Sequence, residues 1–486
     1  MQLQAMKPLL KLFEGGPLAY MTKSLASNLV SVCSHCNQSL INRVFPIVQK
    51  NESDCVFCKP SSLMARFFLR KILGLNDNEF KRFASNSLYK RSVVAWIRGI
   101  GRFGVSRPQP TLPPIAIVWN FTNHCNLKCL HCYQDSSLIT ASNVNSYPKE
   151  LSTAEALRVV DIVAKSGCGS LSFSGGEPLL RDDFYKIAHH TSNHRLLCTL
   201  STNGTLLDHT VAKDLISAGV SGISISLDSL SSKFHDELRG TPGAHTKAVQ
   251  GIEVCAENSQ FKELIIATTL TNRNLDDISG LIEFASEVGA TRVYFSRILP
   301  VGRGKSLQSM NITREEQRKV LKYLAKKFID YIQYGEPSVA VMTRGMTYFA
   351  SQCASLSNYK HFPISEIVIG IEKRHKEILG NSAKTLFRQF AEYAGGCATG
   401  LTYCGLSPEG DILPCAPATD VHLGNILKDG LERIWINNPV LRQIRGRSLV
   451  KGKCNSCKST LICGGCRVTA YGTTGDWLAS DPSCPY

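Results

Sequence analysis

Apolar runs alternate with helical patterns through the middle of the chain. Because the runs are rich in β-branched and aromatic residues, they predict strands, which are IAIVWNF (115–121), GSLSFSG (169–175), LLCTLST (196–202), GISISLD (222–228), LIIATTL (264–270) and RVYFSRI (292–298). Strands that alternate with helices indicate βα units and a largely parallel sheet. The pattern therefore predicts an α/β fold over residues 112–305, a partial (β/α)6 barrel with its chemistry at the C-terminal strand ends.

Helical periodicity also marks the segments on either side of this barrel. Residues 61–107 predict two helices, with apolar positions at Leu63, Phe67, Ile72 and Leu75, and then at Val93, Val94, Ile97 and Ile100. The proline-rich stretch SRPQPTLPP (106–114) predicts a connector. Residues 306–396 predict a helical linker region, with a helix at TREEQRKVLKYLAKKFIDYI (313–332).

Composition places the chain among ordinary globular proteins. Of its 486 residues, 43% are hydrophobic and 19% are charged. No apolar run reaches the roughly 18 residues that a membrane-spanning helix needs. The N-terminal stretch MQLQAMKPLLKLFEGG lacks the apolar centre and cleavage site of a signal peptide. We therefore expect a cytoplasmic protein.

Positive charge is concentrated ahead of the barrel. The net charge is +16, and the segment from Lys59 to Arg107 holds eleven Lys and Arg against two acids, a net of +9. Basic amphipathic helices can lie on anionic membranes, so the segment could associate with a membrane surface. Equally, the segment could pack on the barrel and expose its basic face to solvent. No nucleic-acid recognition motif accompanies the charge, so we expect no nucleic-acid partner.

Nineteen cysteines are many for a reducing compartment, where disulfides do not persist. Fifteen of them fall into three groups at short spacings, which indicates metal binding. The four outside these groups, Cys168, Cys198, Cys255 and Cys353, predict small buried apolar residues.

The first group forms two cysteine knuckles in residues 25–60. Cys33, Cys36, Cys55 and Cys58 have the spacing C-x2-C-x18-C-x2-C. Four thiolates in tetrahedral geometry suit a structural zinc or a mononuclear iron, and the motif alone does not separate the two.

The second group is the loop CNLKCLHC, which directly follows the first predicted strand. Cys125, Cys129 and Cys132 can hold a 4Fe–4S cluster by three of its irons, which leaves one iron open to a substrate or cofactor. A structural zinc site is the alternative, and it would need a fourth ligand such as His124 or His131.

The motifs that follow successive strands resemble those of the radical S-adenosylmethionine (SAM) superfamily, over roughly residues 112–305. SFSGGEPLL matches the family's GGEP segment, LSTNG follows the third strand, ISLDSLSSKFHDELRGTPG follows the fourth, and RILPVGRG follows the sixth. By this resemblance the residues that bind SAM are Gly175, Gly176, Glu177, Pro178, Asn203, Ser226, Asp228 and Arg239.

The resemblance also implies a mechanism. Cys125, Cys129 and Cys132 would hold the SAM-binding 4Fe–4S cluster, Glu177 would accept the methionine ammonium, and Arg239 would pair with the carboxylate. One electron from a reduced ferredoxin- or flavodoxin-type donor would cleave SAM to a 5′-deoxyadenosyl radical. That radical would take a hydrogen atom from a substrate, under anaerobic conditions. No residue is identifiable as a catalytic acid or base.

The third cysteine group resembles the SPASM extension, here residues 397–486, which binds auxiliary clusters. Eight cysteines suffice for two fully ligated 4Fe–4S clusters. The resemblance implies Cys397, Cys404, Cys415 and Cys466 for one cluster, and Cys454, Cys457, Cys463 and Cys484 for the other. The segment CGGC has a shorter gap than usual, so the division of Cys463 and Cys466 between the clusters stays open. Zinc ribbons are the alternative.

The tail ICGGCRVTAYGTTGDWLASDPSCPY is most similar to that of radical SAM enzymes of alternative haem and denitrification-haem synthesis. That similarity implies oxidation of a tetrapyrrole side chain. Radical modification of membrane lipid tails or of a ribosomal peptide are alternatives, and a multi-zinc scaffold without enzymatic activity is a remote one.

Overall fold

A mostly parallel sheet organises the part of the chain that the computed structural model describes, namely residues 23–24, 26–28, 77–137, 148–343, 349, 352–353 and 396–486. The four-cysteine knuckle, the first predicted basic helix and most of the second half of the linker lie outside these residues. The strands have the spatial order β7-β6-β5-β4-β3-β2-β1-β8-β9, and only β9 runs antiparallel to its neighbour.

All six predicted barrel strands are present within two residues of their expected ends. They are β1 (Ala116–Thr122), β2 (Ser170–Gly175), β3 (Leu197–Thr202), β4 (Gly222–Ser226), β5 (Glu263–Leu270) and β6 (Arg292–Arg297). Their consecutive parallel pairing confirms the partial barrel. It also brings the C-terminal ends of these strands, and the loops that follow them, to one side of the sheet.

Three further strands extend the sheet beyond the predicted six. Strand β7 (Ala340–Thr343) pairs with β6 and comes from the region predicted as a helical linker. At the other edge, β8 (Tyr403–Leu406) pairs with β1, and β9 (Ile412–Leu413) pairs with β8. The cysteine-rich C-terminal region is therefore joined to the barrel by backbone hydrogen bonds.

Helices cover the outer face of the sheet and form the C-terminal region. In chain order they are α1 (Asp77–Ser85), α2 (Ser87–Phe103), α3 (Thr153–Ser166), α4 (Phe184–Asn193), α5 (His209–Ser217), α6 (Ser232–Arg239), α7 (Ala244–Ala256), α8 (Ile278–Glu287), α9 (Arg314–Tyr334), α10 (Ile426–Asp429), α11 (Leu431–Asn437), α12 (Pro439–Arg445), α13 (Thr460–Cys463) and α14 (Arg467–Thr474).

The core lies between the sheet and these helices. Every second residue of β1 faces the helices, because successive strand residues point to opposite sides of the sheet. These residues are Ile117, Trp119 and Phe121, and all three are fully buried. Phe121 and Phe173 meet edge to face, with ring centroids 5.1 Å apart. Cys168, Cys198, Cys255 and Cys353 are all buried in the same core, as predicted.

The basic helix α2 packs against the barrel. Arg91 is only 4% exposed, and its guanidinium donates hydrogen bonds of 2.9 Å to the carbonyl oxygens of Ala164, Cys168 and His194. Arg98 donates to the Ser166 carbonyl at 2.8 Å and pairs with Glu432. These cations bind carbonyl groups at the C-terminal ends of α3 and α4, where positive charge is favourable. For the described residues, these contacts favour packing of the basic helix on the barrel over contact with a membrane.

None of the described helices combines the length and the apolar character that crossing a lipid bilayer requires.

We expect Arg91→Met to lower the thermal unfolding midpoint by about 2 °C, because it removes charge-assisted hydrogen bonds that together contribute about 2 kcal/mol. Arg102→Met, on the exposed side of the same helix, is the matched control and should leave the midpoint unchanged. Differential scanning calorimetry under anaerobic conditions measures both. Equal midpoints for the two variants would contradict the packed arrangement of α2.

Candidate active site at the mouth of the barrel

The three-cysteine loop follows β1 and is held mainly by its backbone. The N–H of Cys125 donates to the Ser137 carbonyl at 3.0 Å, and the N–H of Lys128 donates to the Arg239 carbonyl at 3.2 Å. Arg303 donates to the carbonyl oxygens of Cys129 at 2.7 Å and Ser136 at 3.0 Å. Arg303 belongs to the RILPVGRG motif after β6, so loops from β1, β4 and β6 meet around the cysteines.

Cys125, Cys129 and Cys132 line one cavity of about 240 Å³. Burial raises the pKa of Cys125 to about 12 and also raises the pKa of Cys129. Thiols in such a site become thiolates only when a cation binds them. The donor set therefore fits a metal centre.

The spacing of the sulfur atoms fits a cluster better than a single zinc ion. Tetrahedral zinc with Zn–S bonds of about 2.3 Å places its sulfur ligands about 3.8 Å apart. Among the described residues, the only three metal-ligating side chains whose ligand atoms all lie within 4.8 Å of one another are Asp161, His190 and His194. At least one pair of the three cysteine sulfurs is therefore more than 4.8 Å apart, which suits thiolates that bind different irons of one cluster.

The GGEP segment brings β2 against the cysteine loop. The N–H of Gly176 donates to the Thr122 carbonyl at 2.7 Å, and the N–H of Glu177 donates to the His124 carbonyl at 2.8 Å. A Cβ atom on Gly176 would lie 2.2 Å from the His124 oxygen, and Gly175 has a φ of +111°. Only glycines allow this approach, and both line the cavity.

Glu177 does not face the cavity, contrary to the expectation that it accepts the SAM ammonium. It is 0% exposed, and its carboxylate accepts hydrogen bonds from the Thr202 hydroxyl and the Asn203 N–H, all at 2.9 Å. Burial raises its pKa to about 7, while these hydrogen bonds oppose the rise. The carboxylate thus ties the β2 loop to the β3 loop. Pro178 is likewise buried, at the start of a 3₁₀ turn, and does not line the cavity.

Arg239 does face the cavity, and Asp228 positions it. The Arg239 Nε donates to the Asp228 carboxylate at 2.6 Å, and its Nη1 lies 3.9 Å from the Cys129 sulfur. Asp228 is fully buried and also accepts from the Thr269 N–H at 2.8 Å. Burial alone would raise the pKa of Asp228, but the Arg239 charge lowers it to about 2. Arg239 is therefore a fixed cation that an anionic group in the cavity can meet.

Ser226 and Asn203 also line this cavity, as expected, and Asn203 donates to the Asn126 side chain at 2.8 Å. His131 is a further lining residue. Burial lowers its pKa to about 4, so it is neutral, and its Nδ1 has no hydrogen-bond partner among the described residues.

The sequence analysis assigned no role to several lining residues, among them Tyr133 and Arg297. The Tyr133 hydroxyl donates to the Asn120 side chain at 3.0 Å, and Arg297 stands at the end of β6. Arg297 is the first residue of the motif RILPVGRG, and that position was the available signal.

A second cavity, of about 440 Å³, adjoins the first and contains the auxiliary cysteines. Cys397, Cys415, Cys463 and Cys466 line it. Tyr133 and Arg297 line both cavities, so these two side chains lie at the junction. Cys454, Cys457 and Cys484 do not line it and are half-buried or exposed.

Cys404 lies on the wrong face of β8 to join the other auxiliary cysteines. Tyr403 faces the second cavity, and Cys404, the next residue of the strand, is 0% exposed in the core beside the helices. It pairs in register with Ile117, which faces the same core. The structure therefore separates Cys404 from the ligand set implied for it, and seven cysteines remain for the auxiliary centres.

Iron content distinguishes the two positions. We expect Cys404→Ala to retain the full iron content after anaerobic reconstitution, because its sulfur points away from the cavity. Cys415→Ala should lose about four irons per chain, the content of one cluster. Iron and acid-labile sulfide analysis measures both variants. Equal loss in both would mean that Cys404 binds iron.

Comparison with known proteins agrees with this architecture. Residues 119–285 match the model of the radical SAM superfamily, and residues 397–459 match SPASM, an iron–sulfur cluster-binding domain. The chain is similar to the AdoMet-dependent heme synthase of Methanosarcina barkeri, with 33% identity over 77% of this chain and 97% of that protein. It is also similar to the pre-heme d1 synthase of Dinoroseobacter shibae, with 26% identity over 77% and 89%.

Among solved structures, Streptococcus suis SuiB bound to the precursor peptide SuiA has the same fold, with a TM-score of 0.63. The match covers 92% of this chain and 93% of that chain at 20% identity. The sequence matches and the cysteine-lined cavity together confirm the resemblance drawn from the motifs. The chain belongs to the radical SAM superfamily and carries a SPASM iron–sulfur cluster-binding domain.

Proposed function

We propose that this radical SAM enzyme oxidises a carboxylate-bearing side chain of a tetrapyrrole, with its substrate at the junction of the two cavities. The observation that carries the proposal is Arg297, which stands between the SAM-side cavity and the auxiliary cysteines. With SAM and the clusters bound, one electron would cleave SAM to methionine and a 5′-deoxyadenosyl radical, which would take a hydrogen atom from the substrate. The substrate radical would then pass one electron to an auxiliary cluster and lose a proton or carbon dioxide.

The first cavity supplies the polar groups that SAM needs. Arg239 is a fixed cation for the methionine carboxylate. The backbone of Gly175 and Gly176 edges the same space, and Ser226 and Asn203 offer polar contacts. These residues would orient SAM beside Cys125, Cys129 and Cys132.

The junction suits a partly apolar substrate with acidic side chains. The auxiliary cysteines line one part of the second cavity, and Val118, Tyr294, Met342 and Pro417 add apolar walls to it. The Arg297 guanidinium provides a planar fork that matches a carboxylate. A carboxylate held there would place the neighbouring carbon atoms at the junction of the two cavities. The heme synthase relatives support a tetrapyrrole over a lipid or a peptide.

Two further parts of the proposal concern the electron donor and the metal at the N-terminal cysteines. A ferredoxin- or flavodoxin-type donor would supply the electron, and the net charge of +16 favours the approach of an acidic carrier. Zinc or a mononuclear iron at Cys33, Cys36, Cys55 and Cys58 stays a prediction.

SAM cleavage tests the chemistry. Anaerobically reconstituted protein should contain more than about eight irons per chain and, with SAM and reductant, should form 5′-deoxyadenosine. Replacing Cys125, Cys129 and Cys132 together by alanine should abolish cleavage and leave the auxiliary iron. Chromatography and iron analysis measure both. Iron-replete protein that forms no 5′-deoxyadenosine would overturn the proposal.

Substrate binding tests the role of Arg297. Titration with iron coproporphyrin should shift the Soret band, and Arg297→Met should weaken this binding at least about tenfold, because a charge-assisted hydrogen bond contributes about 1.5–3 kcal/mol. Arg292→Met is the matched control, since Arg292 lies at the other end of β6 and pairs with Glu263 at 2.6 Å. Equal affinities of the two variants, or no shift at all, would count against a tetrapyrrole at this junction.

A further inference from the structure

Two arginines of the C-terminal region are buried beside the auxiliary cysteines. Arg447 is 2% exposed, and Arg467, the first residue of α14, is 0% exposed. Arginine is almost never fully buried unless an anion or a full set of acceptors pairs with it. Neither side chain forms an ion pair with an acidic residue among the described residues.

Only part of each guanidinium finds an acceptor in the protein. The Nη2 of Arg447 donates to the Cys397 carbonyl at 2.6 Å. The Nη1 of Arg467 donates to the carbonyls of Trp477 and Ala479, both at 2.8 Å. The Nε and Nη1 of Arg447, and the Nε and Nη2 of Arg467, have no hydrogen-bond partner among the described residues. Buried donors of this kind require an acceptor that the polypeptide itself does not provide.

The CGGC segment is shaped to receive these two side chains. A Cβ atom on Gly464 would lie 1.5 Å from the Arg447 Nη1, and one on Gly465 would lie 2.8 Å from the Arg467 Nη2. Both glycines also have positive φ, +66° and +64°. The unpartnered sides of both guanidiniums thus lie against the loop that joins Cys463 to Cys466, and both cysteines line the second cavity.

Both cations lie next to cysteines that line the second cavity. Arg447 donates to the main chain of Cys397, and Arg467 directly follows Cys466. Two cations that repel each other in a buried place are stable together when an anion lies beside both.

We propose that Arg447 and Arg467 form a cationic seat for the auxiliary cluster at the second cavity and raise its reduction potential. The inference rests on the proposed function, because it requires the cluster to be present. Thiolate ligands outweigh the charge of an iron–sulfide core, so the cluster is an anion. Its one-electron reduction adds a further negative charge, which the two arginines stabilise more than they stabilise the oxidised form.

A potentiometric titration followed by electron paramagnetic resonance tests the inference in the full-length, anaerobically reconstituted protein. The variants are Arg447→Gln, Arg467→Gln and the charge-conserving Arg447→Lys. Arg442→Gln is the matched control, since Arg442 lies on the exposed side of the neighbouring helix α12. All are made in the background in which alanine replaces Cys125, Cys129 and Cys132, so that the signals come from the auxiliary clusters.

At the midpoint potential of the unsubstituted background, each glutamine variant should show at least a tenfold lower ratio of reduced to oxidised cluster, about 59 mV for one electron. Arg442→Gln should keep the ratio, and Arg447→Lys should change it less than Arg447→Gln does. If Arg447→Gln loses iron and Arg447→Lys retains it, this result would also support a role for the positive charge in holding the cluster.

Three results would overturn the inference. These are full iron content with an unchanged ratio in both glutamine variants, an equal shift in Arg442→Gln, and loss of iron from Arg447→Lys as well. Protein that holds no cluster in any variant, including the parent chain, would refute the proposed function instead. Iron analysis therefore separates failure of the inference from failure of the proposal on which it rests.

Discussion

The site depends on the contact between the cysteine loop and the backbone of GGEP. Burial raises the pKa of the Cys125 and Cys129 thiols, so these side chains contribute little to holding the loop in place. Main-chain hydrogen bonds hold it instead, through the N–H groups of Gly176 and Glu177. The contact requires the carboxyl ends of β1 and β2 to lie side by side, which parallel pairing in register provides. The sheet thus positions the cysteine loop.

Buried charge serves two different purposes in this molecule. Asp228 and Glu177 are fully buried, and protein donors satisfy both of them. They are positioning residues, because one fixes Arg239 and the other joins two loops. Arg447 and Arg467 are buried to the same degree, yet their donors are only partly used. A charge that is completely paired stabilises its surroundings, whereas a charge that is half paired indicates a ligand.

The local pattern of apolar residues and motifs predicted the barrel strands and the loops that follow them. The six barrel strands are apolar, and all but the fifth are followed by a recognisable motif, so their order and the three-cysteine loop could be read from the chain. Strands β7, β8 and β9 have two to four residues, and β7 and β8 pair with partners far away in sequence. Periodicity carries no signal for such strands, and their pairing emerges only in the folded chain.

The direction of individual side chains was the other feature that the sequence did not predict. Cys404 belongs to a cysteine-rich segment, but the alternation of side chains along β8 directs it towards the core. The spacing of the cysteines alone does not reveal which face of the strand each of them occupies. Glu177 follows the family motif, and yet Thr202 and Asn203 use its carboxylate. In helix α2 the sequence showed how much positive charge is present, but not that Arg91 binds three carbonyl groups.

The arrangement of the two cavities explains why an auxiliary centre belongs beside the SAM site. A carbon radical is reactive, so the group that accepts its electron must be close and the space between them must exclude water. Tyr133 and Arg297 line both cavities, so a substrate at the junction would touch the SAM side and the auxiliary side together. Strand β8 fixes this geometry, because it hydrogen-bonds the C-terminal region directly to β1, the strand that also carries the cysteine loop.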